Sequence, residues 1–161
     1  FCDYRDLTGS FDHVVSIEMI EAVGERYWPT YFKTLHDRLK PGGSALVQAI
    51  VIDEQVFDTY RATSDFIREY IFPGGMLGPL PRLAREAAAA HLDWHAPFTF
   101  GTDYAHTLRL WLERFNARER EIDQLGFGAP FKQLWRFYLH YCEAGFVSRR
   151  TDVAHLRMTR R

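Results

Sequence analysis

Two glutamates, Glu18 and Glu21, stand three residues apart directly after an apolar run, Val14-Val15-Ser16-Ile17. Paired carboxylates at this spacing can hold or move a proton, or fix a hydrogen-bonding group. Residues 14–17 read as a strand buried on both faces, as in the middle of a parallel sheet. Ligands of open α/β sheets bind just beyond the carboxyl ends of such strands. The same acids also suit a solvated loop or first helical turn, where the helix dipole favours them. Spacing leaves both readings open. Gln48 sits inside a second apolar run, Leu46-Val47-Gln48-Ala49-Ile50. A lone amide in a buried strand has to be hydrogen-bonded, either to its neighbours or to something in the crevice that the glutamates face. Cys142 falls on the apolar side of a helix, where most cysteines are inert. Tyr104 reads as a core tyrosine with a satisfied hydroxyl. His91 and His95 are spaced to share a helix face, but Pro97 argues that the helix has ended and no third ligand is in sight. No metal site is expected. No GxGxxG, GxGxG or P-loop pattern occurs.

The elements that must position these residues follow from periodicity. Residues 11–17 form the first strand. Residues 25–39 repeat apolar side chains at helical spacing and stop at Lys40-Pro41-Gly42-Gly43, with the basic last turn, proline and glycine that end helices. Residues 44–52 make a nearly all-apolar strand, so strand, helix and strand form a βαβ unit with a parallel sheet and a right-handed crossover. Residues 54–71 read as one aromatic-rich helix and 82–91 as a short alanine-rich one. An excursion of this length is too long for a plain connection, and residues 54–92 are expected to cap the strand ends. Residues 92–100 return to the sheet, 104–120 and 131–147 are helices, and 153–159 make a last strand.

With 161 residues, 47% apolar and 16% aromatic, the chain can bury one core, and one domain is expected. A formal net charge of −1, with acids and bases interspersed, excludes an electrostatic nucleic-acid binder. Cys2 and Cys142 match no metal spacing and point to a reducing, cytoplasmic compartment. No apolar run reaches the ~18–20 residues of a membrane span, and no signal-peptide pattern is visible. The chain opens at Phe1-Cys2-Asp3 without a methionine and reads as a fragment.

Seven segments, taken in order, resemble the cyclopropane-fatty-acyl-phospholipid synthase and mycolic acid cyclopropane synthase family. They begin with Asp3-Tyr4-Arg5-Asp6-Leu7, Phe11-Asp12, Ser16-Ile17-Glu18-Met19-Ile20-Glu21-Ala22-Val23-Gly24 and Leu39-Lys40-Pro41-Gly42-Gly43. They continue with Tyr70-Ile71-Phe72-Pro73-Gly74-Gly75, Phe100-Gly101-Thr102-Asp103-Tyr104 with Thr107-Leu108, and Tyr138-Leu139-His140-Tyr141-Cys142-Glu143-Ala144-Gly145-Phe146. Each motif is weak alone, and their order over nearly the whole chain is specific.

The resemblance implies an α/β fold, the C-terminal half of the Rossmann-like class I methyltransferase sheet, with a helical cap insertion. The glycine-rich cofactor loop of the family would lie upstream. The implied reaction is methyl transfer from S-adenosylmethionine to the cis double bond of an unsaturated acyl chain. A base then removes a proton to give a cyclopropane, or a methylene branch if a hydride shifts first; a methyl-branched product is the further outcome of the subgroup that the departures at Gln48, Ala22 and Glu18 resemble. By family position the base is a bound bicarbonate, held by Glu21, Tyr104, the backbone at Ile50 and, where many relatives have histidine, Gln48. Cys142 matches the helix cysteine often designated as the active-site residue, and Asp3, Tyr4 and Arg5 fall at the adenine end of the cofactor. Glu18 stands where glycine is common, and Ala22 replaces a usual histidine. The implied partners are an acyl phospholipid or other acyl-chain substrate, reached by transient peripheral contact at the membrane surface; a homodimer is compatible, and no nucleic acid is expected. A non-catalytic lipid- or partner-binding remnant is the alternative reading.

Overall fold

Alternation in the second apolar run builds the centre of the sheet. The structure, a computed structural model, describes residues 1–161. In strand β2 (Leu39–Ile52), Ala45, Val47, Ala49 and Val51 are buried on one face, while Ser44, Leu46, Gln48 and Ile50 are half-buried on the other. Strand β1 (Phe11–Ile17) runs parallel to β2, with Ile17 opposite Gln48. Between them lie the short helix α1 (Ile20–Val23), a 3-10 turn at Glu25–Tyr27 and helix α2 (Trp28–Arg38). On α2 the residues Trp28, Tyr31, Phe32 and Leu35 repeat at the i, i+3, i+4, i+7 spacing of a core-facing stripe, and all four are buried.

Three expectations need correction. First, within residues 1–161 the strand β1 has cover on one face and not on two: it lies outermost in the order β1-β2-β5-β3, and Val15 and Ile17 are 64% and 54% exposed. Helix α2 covers only the Val14/Ser16 face, where the Tyr31 hydroxyl donates to Ser16 Oγ at 2.8 Å. An apolar run signals burial, but not how many faces are covered.

Second, the sheet is mixed rather than parallel. After β2 come α3 (Glu54–Ala62), a π-helical turn at Ile67–Ile71, α4 (Leu80–Ala89) and the short strands β3 (Leu92–Trp94) and β4 (Phe98–Thr99). Helices α5 (Gly101–Ala117), α6 (Glu119–Gln124) and α7 (Ala129–Val147) precede the last strand, β5 (Thr151–Arg160). The order is β1-β2-β5-β3, with β4 also on β5, and both β3 and β4 run antiparallel to it. The last strand is inserted beside β2, so it separates β2 from the strands that follow it in sequence.

Third, residues 54–71 are not one helix. Thr63 is extended, and the Asp65 carboxylate takes the Arg68 N–H at 2.9 Å. Such local side-chain bonds compete with helix continuation.

Two compact units divide the chain: Phe1–Thr99 with Val153–Arg161, and Phe100–Asp152. In the first, Phe57, Tyr60, Leu83 and Ala87 from the excursion join α2, β2 and β5 in one core. In the second, α5 packs on α7, burying Leu108, Leu112, Leu139 and Phe146. Gly101 opens α5 by donating its N–H to Asp152 Oδ1 at 2.7 Å. A Cβ there would lie 2.6 Å from that oxygen, so this close approach requires glycine. Lys132 is buried and bridges Glu119 at 3.0 Å and Asp123 at 2.7 Å. No helix is long and apolar enough to cross a membrane.

Candidate functional site

The turn out of β1 places the two glutamates. Glu18 extends the parallel ladder by donating its N–H to the Gln48 carbonyl at 2.9 Å, and its φ is +48°. A left-handed non-glycine residue costs about 1 kcal/mol. The chain then turns into α1, whose Ile20 is buried. Glu21 points back at β2, and its Oε1 accepts the Ile50 N–H at 2.6 Å. Its Oε2 is buried with no hydrogen-bond partner. Burial pushes the Glu21 carboxyl above its usual range; the Ile50 N–H opposes this and the nearby Glu18 charge adds to it. In its protonated form Glu21 presents an O–H donor from Oε2. Met76 donates its N–H to the Glu21 carbonyl at 2.9 Å, so the Phe72-Pro73-Gly74-Gly75 turn closes on α1.

Gln48 shares a face of β2 with Ile50. Its Nε2 donates to Glu18 Oε1 at 2.8 Å, and its Oε1 lies 2.9 Å from His155 Nε2 on β5. The carboxylate fixes the amide's orientation, so His155 must donate from Nε2. The structure therefore joins Glu21, Gln48 and Ile50 with Glu18 and His155 in the first unit.

Tyr104 and Cys142 lie on α5 and α7 in the second unit. There the Tyr104 ring meets Phe146 at 5.2 Å and Trp111 at 6.2 Å, and Cys142 is half-buried. A cavity of about 710 Å³ in the same unit is lined by Trp111, Phe115, Ile122, Leu125, Trp135 and Leu139, among others, with Arg114 and Arg118 beside them.

Asp3 caps a 3-10 turn at Tyr4–Asp6 and takes three hydrogen bonds from Arg5, at 2.8 to 2.9 Å. The Arg5 side-chain hydrogen bonds, helped by its backbone N–H, hold the Asp3 carboxyl at about 2. The Tyr4 ring stands edge-on to Tyr31 at 5.8 Å. The two spaced histidines do not share a helix: α4 ends at Ala89, His91 follows at φ +59°, and His95 Nε2 pairs with Thr159 Oγ1 at 2.8 Å.

His155 was not a candidate by sequence. The available signal was a titratable ring between the buried Ala154 and Leu156, and its meaning depends on β5 lying next to β2, which local sequence does not encode.

Among known proteins, the chain is similar to tuberculostearic acid methyltransferase UfaA1 of Mycobacterium tuberculosis, 44% identical over 94% of this chain and 36% of that relative. It is similar to cyclopropane-fatty-acyl-phospholipid synthase of Escherichia coli, 36% identical over 91% of this chain and 37% of that protein. The chain thus spans a little over a third of the length of these curated relatives. The solved structure of mycolic acid cyclopropane synthase CmaA1 complexed with SAH and CTAB superposes with a TM-score of 0.89. The match covers 98% of this chain and 58% of that one at 23% identity. Cyclopropane synthase MmaA2 from Mycobacterium tuberculosis gives 0.87 at 21% identity. These likenesses show that the fold is the Rossmann-like α/β fold of class I methyltransferases. The family described as mycolic acid cyclopropane synthetase matches residues 1–156, and the chain belongs to it.

Proposed function

We propose that the gene product carrying this sequence transfers a methyl group from S-adenosylmethionine to the cis double bond of an unsaturated fatty acyl chain. The product is a cyclopropane or a methylene branch, or a methyl branch once a hydride donor has reduced the latter. The observation that carries this reading is the Glu21 carboxyl. One oxygen is fixed on the Ile50 N–H, the other is buried and unpartnered, and burial favours the protonated form. A protonated carboxyl with a stranded oxygen fits a hydrogen-bond-accepting anion such as bicarbonate. The ionised, exposed Asp3 fits as an acceptor for the adenine amine.

When bound, S-adenosylmethionine would supply the methyl group and bicarbonate the base for the proton whose loss completes the product. In its protonated form Glu21 hydrogen-bonds to the anion through Oε2 without giving up the proton, while the Ile50 N–H keeps the carboxyl from rotating. Gln48 adds a second donor: one hydrogen of its Nε2 is committed to Glu18, and the other serves the anion. The turn closing on the Glu21 carbonyl helps to exclude water, which a carbocationic substrate requires. The capping role of residues 54–92, and the roles of Tyr104 and Cys142, belong to this proposal on family position alone. The substrate proposed is an acyl phospholipid or another carrier of an unsaturated acyl chain, reached by transient contact at the cytoplasmic membrane surface.

Glu21→Gln tests the reading. The amide keeps the shape but replaces the acid O–H with a weaker N–H donor, so turnover should fall roughly 10²-fold while the protein still folds, with a melting temperature near wild type at acid pH, where both side chains are neutral. Near-normal turnover would return Glu21 to a purely structural role.

A further inference from the structure

We propose that His155 is a positioning residue that acts through Gln48, setting the amide that faces the anion site. The inference rests on the reading of Gln48 as an anion ligand, and the geometry behind it is a three-residue chain. Glu18 Oε1 accepts from Gln48 Nε2 at 2.8 Å, and Gln48 Oε1 accepts from His155 Nε2 at 2.9 Å. The amide is pinned at both ends, with a carboxylate fixing which end is nitrogen and an imidazole N–H fixing the oxygen. A glutamine side chain has three rotatable bonds, and an unpinned one does not hold a donor in a fixed direction.

The framework around the chain supports this role. Glu18 adopts the left-handed φ of +48° and its own N–H bonds the Gln48 carbonyl, so the backbone departs from an easy conformation where its side chain meets the amide. Strained residues of this kind persist where surrounding structure holds them, often at functional sites. His155 comes from β5, the direct neighbour of β2, and its ring lies 6.1 Å from Phe98. The imidazole thus reaches the Gln48 amide from the adjacent strand.

The test uses His155→Phe, which keeps a ring and removes the donor, and His155→Gln, which restores an N–H, each alone and with Gln48→Ala. The readouts are the half-saturating bicarbonate concentration, the melting temperature, and the side-chain amide NMR signals of Gln48. Losing one hydrogen bond that orders the ligand should raise half-saturation by about tenfold, with His155→Gln within about threefold of wild type. In the Gln48→Ala background, His155→Phe should add nothing. The Gln48 amide signals, distinct in the wild type, should move towards those of a free amide in His155→Phe and return in His155→Gln. Unchanged half-saturation or amide signals in His155→Phe, or an equal effect in both backgrounds, would overturn the positioning role. If Gln48→Ala itself keeps wild-type bicarbonate dependence, the ligand reading fails, and the proposal with it. If Gln48→Ala weakens bicarbonate but His155→Phe does not, only the role of His155 fails.

Discussion

At the scale of single residues, Glu18 joins a backbone cost to a side-chain contact, and the two separate by mutation. Glu18→Gly relaxes the φ of +48°, whereas Glu18→Ala keeps the strain and loses the same contact to Gln48. The glycine variant should be more stable than the alanine variant by about 1 kcal/mol, read from denaturant midpoints; equal stabilities would remove the strain argument. Glu21 gives a prediction in pH. Its folded carboxyl is raised above the ordinary value of 4.5, chiefly by burial. The fold therefore favours the protonated form, and that contribution is full below the ordinary value and is lost as pH rises through the raised one. The melting temperature of Glu21→Gln relative to wild type should accordingly climb between acid and neutral pH. A constant difference would mean that the carboxyl is not raised. Glu21 and Gln48 stood out by sequence because both are polar residues tied to apolar runs. Their actual hydrogen-bond partners could not be read there, because Ile50 and His155 are brought in by strand pairing.

At the scale of elements, local periodicity found most helices and strands, and failed where coverage or side-chain competition decided the outcome. The stripe on α2 was legible from spacing, and burial separates it energetically from the turn that leads into it. Phe32 is fully buried and Tyr27, just before the helix, is 44% exposed. Phe32→Ala should cost about 3–5 kcal/mol and Tyr27→Ala less than about 1 kcal/mol, by chemical denaturation; similar costs would contradict the packing. Residues 104–120 read as a helix, but the true start is Gly101, because the Asp152 carboxylate accepts its N–H across 51 residues of sequence. Gly101→Ala pushes a methyl group against that carboxylate and should destabilise by about 1–3 kcal/mol, and a wild-type melting curve would contradict the close approach. Residues 14–17 show the opposite limit. Their apolar character was read correctly as strand, while the cover on their faces depends on which elements lie beside β1.

At the scale of the molecule, the family was legible because its motifs fall in order along the chain, and the match through residues 1–156 bears this out. The mixed sheet was not, since the placement of β5 between β2 and β3 depends on pairing between residues more than 100 positions apart. The donor set around Glu21 gains its meaning only in that arrangement, where the end of β1, the middle of β2 and His155 of β5 meet. Product analysis reads directly what this arrangement acts on. The gene product carrying this sequence is incubated with methyl-labelled S-adenosylmethionine, bicarbonate and phospholipid vesicles bearing cis-monounsaturated chains, and the acyl chains are analysed by mass spectrometry and NMR. The expected result is acyl chains heavier by one CH2 unit, with the label in a ring or branch carbon at the former double bond. Label recovered on oxygen or nitrogen, with the double bond untouched, would contradict it.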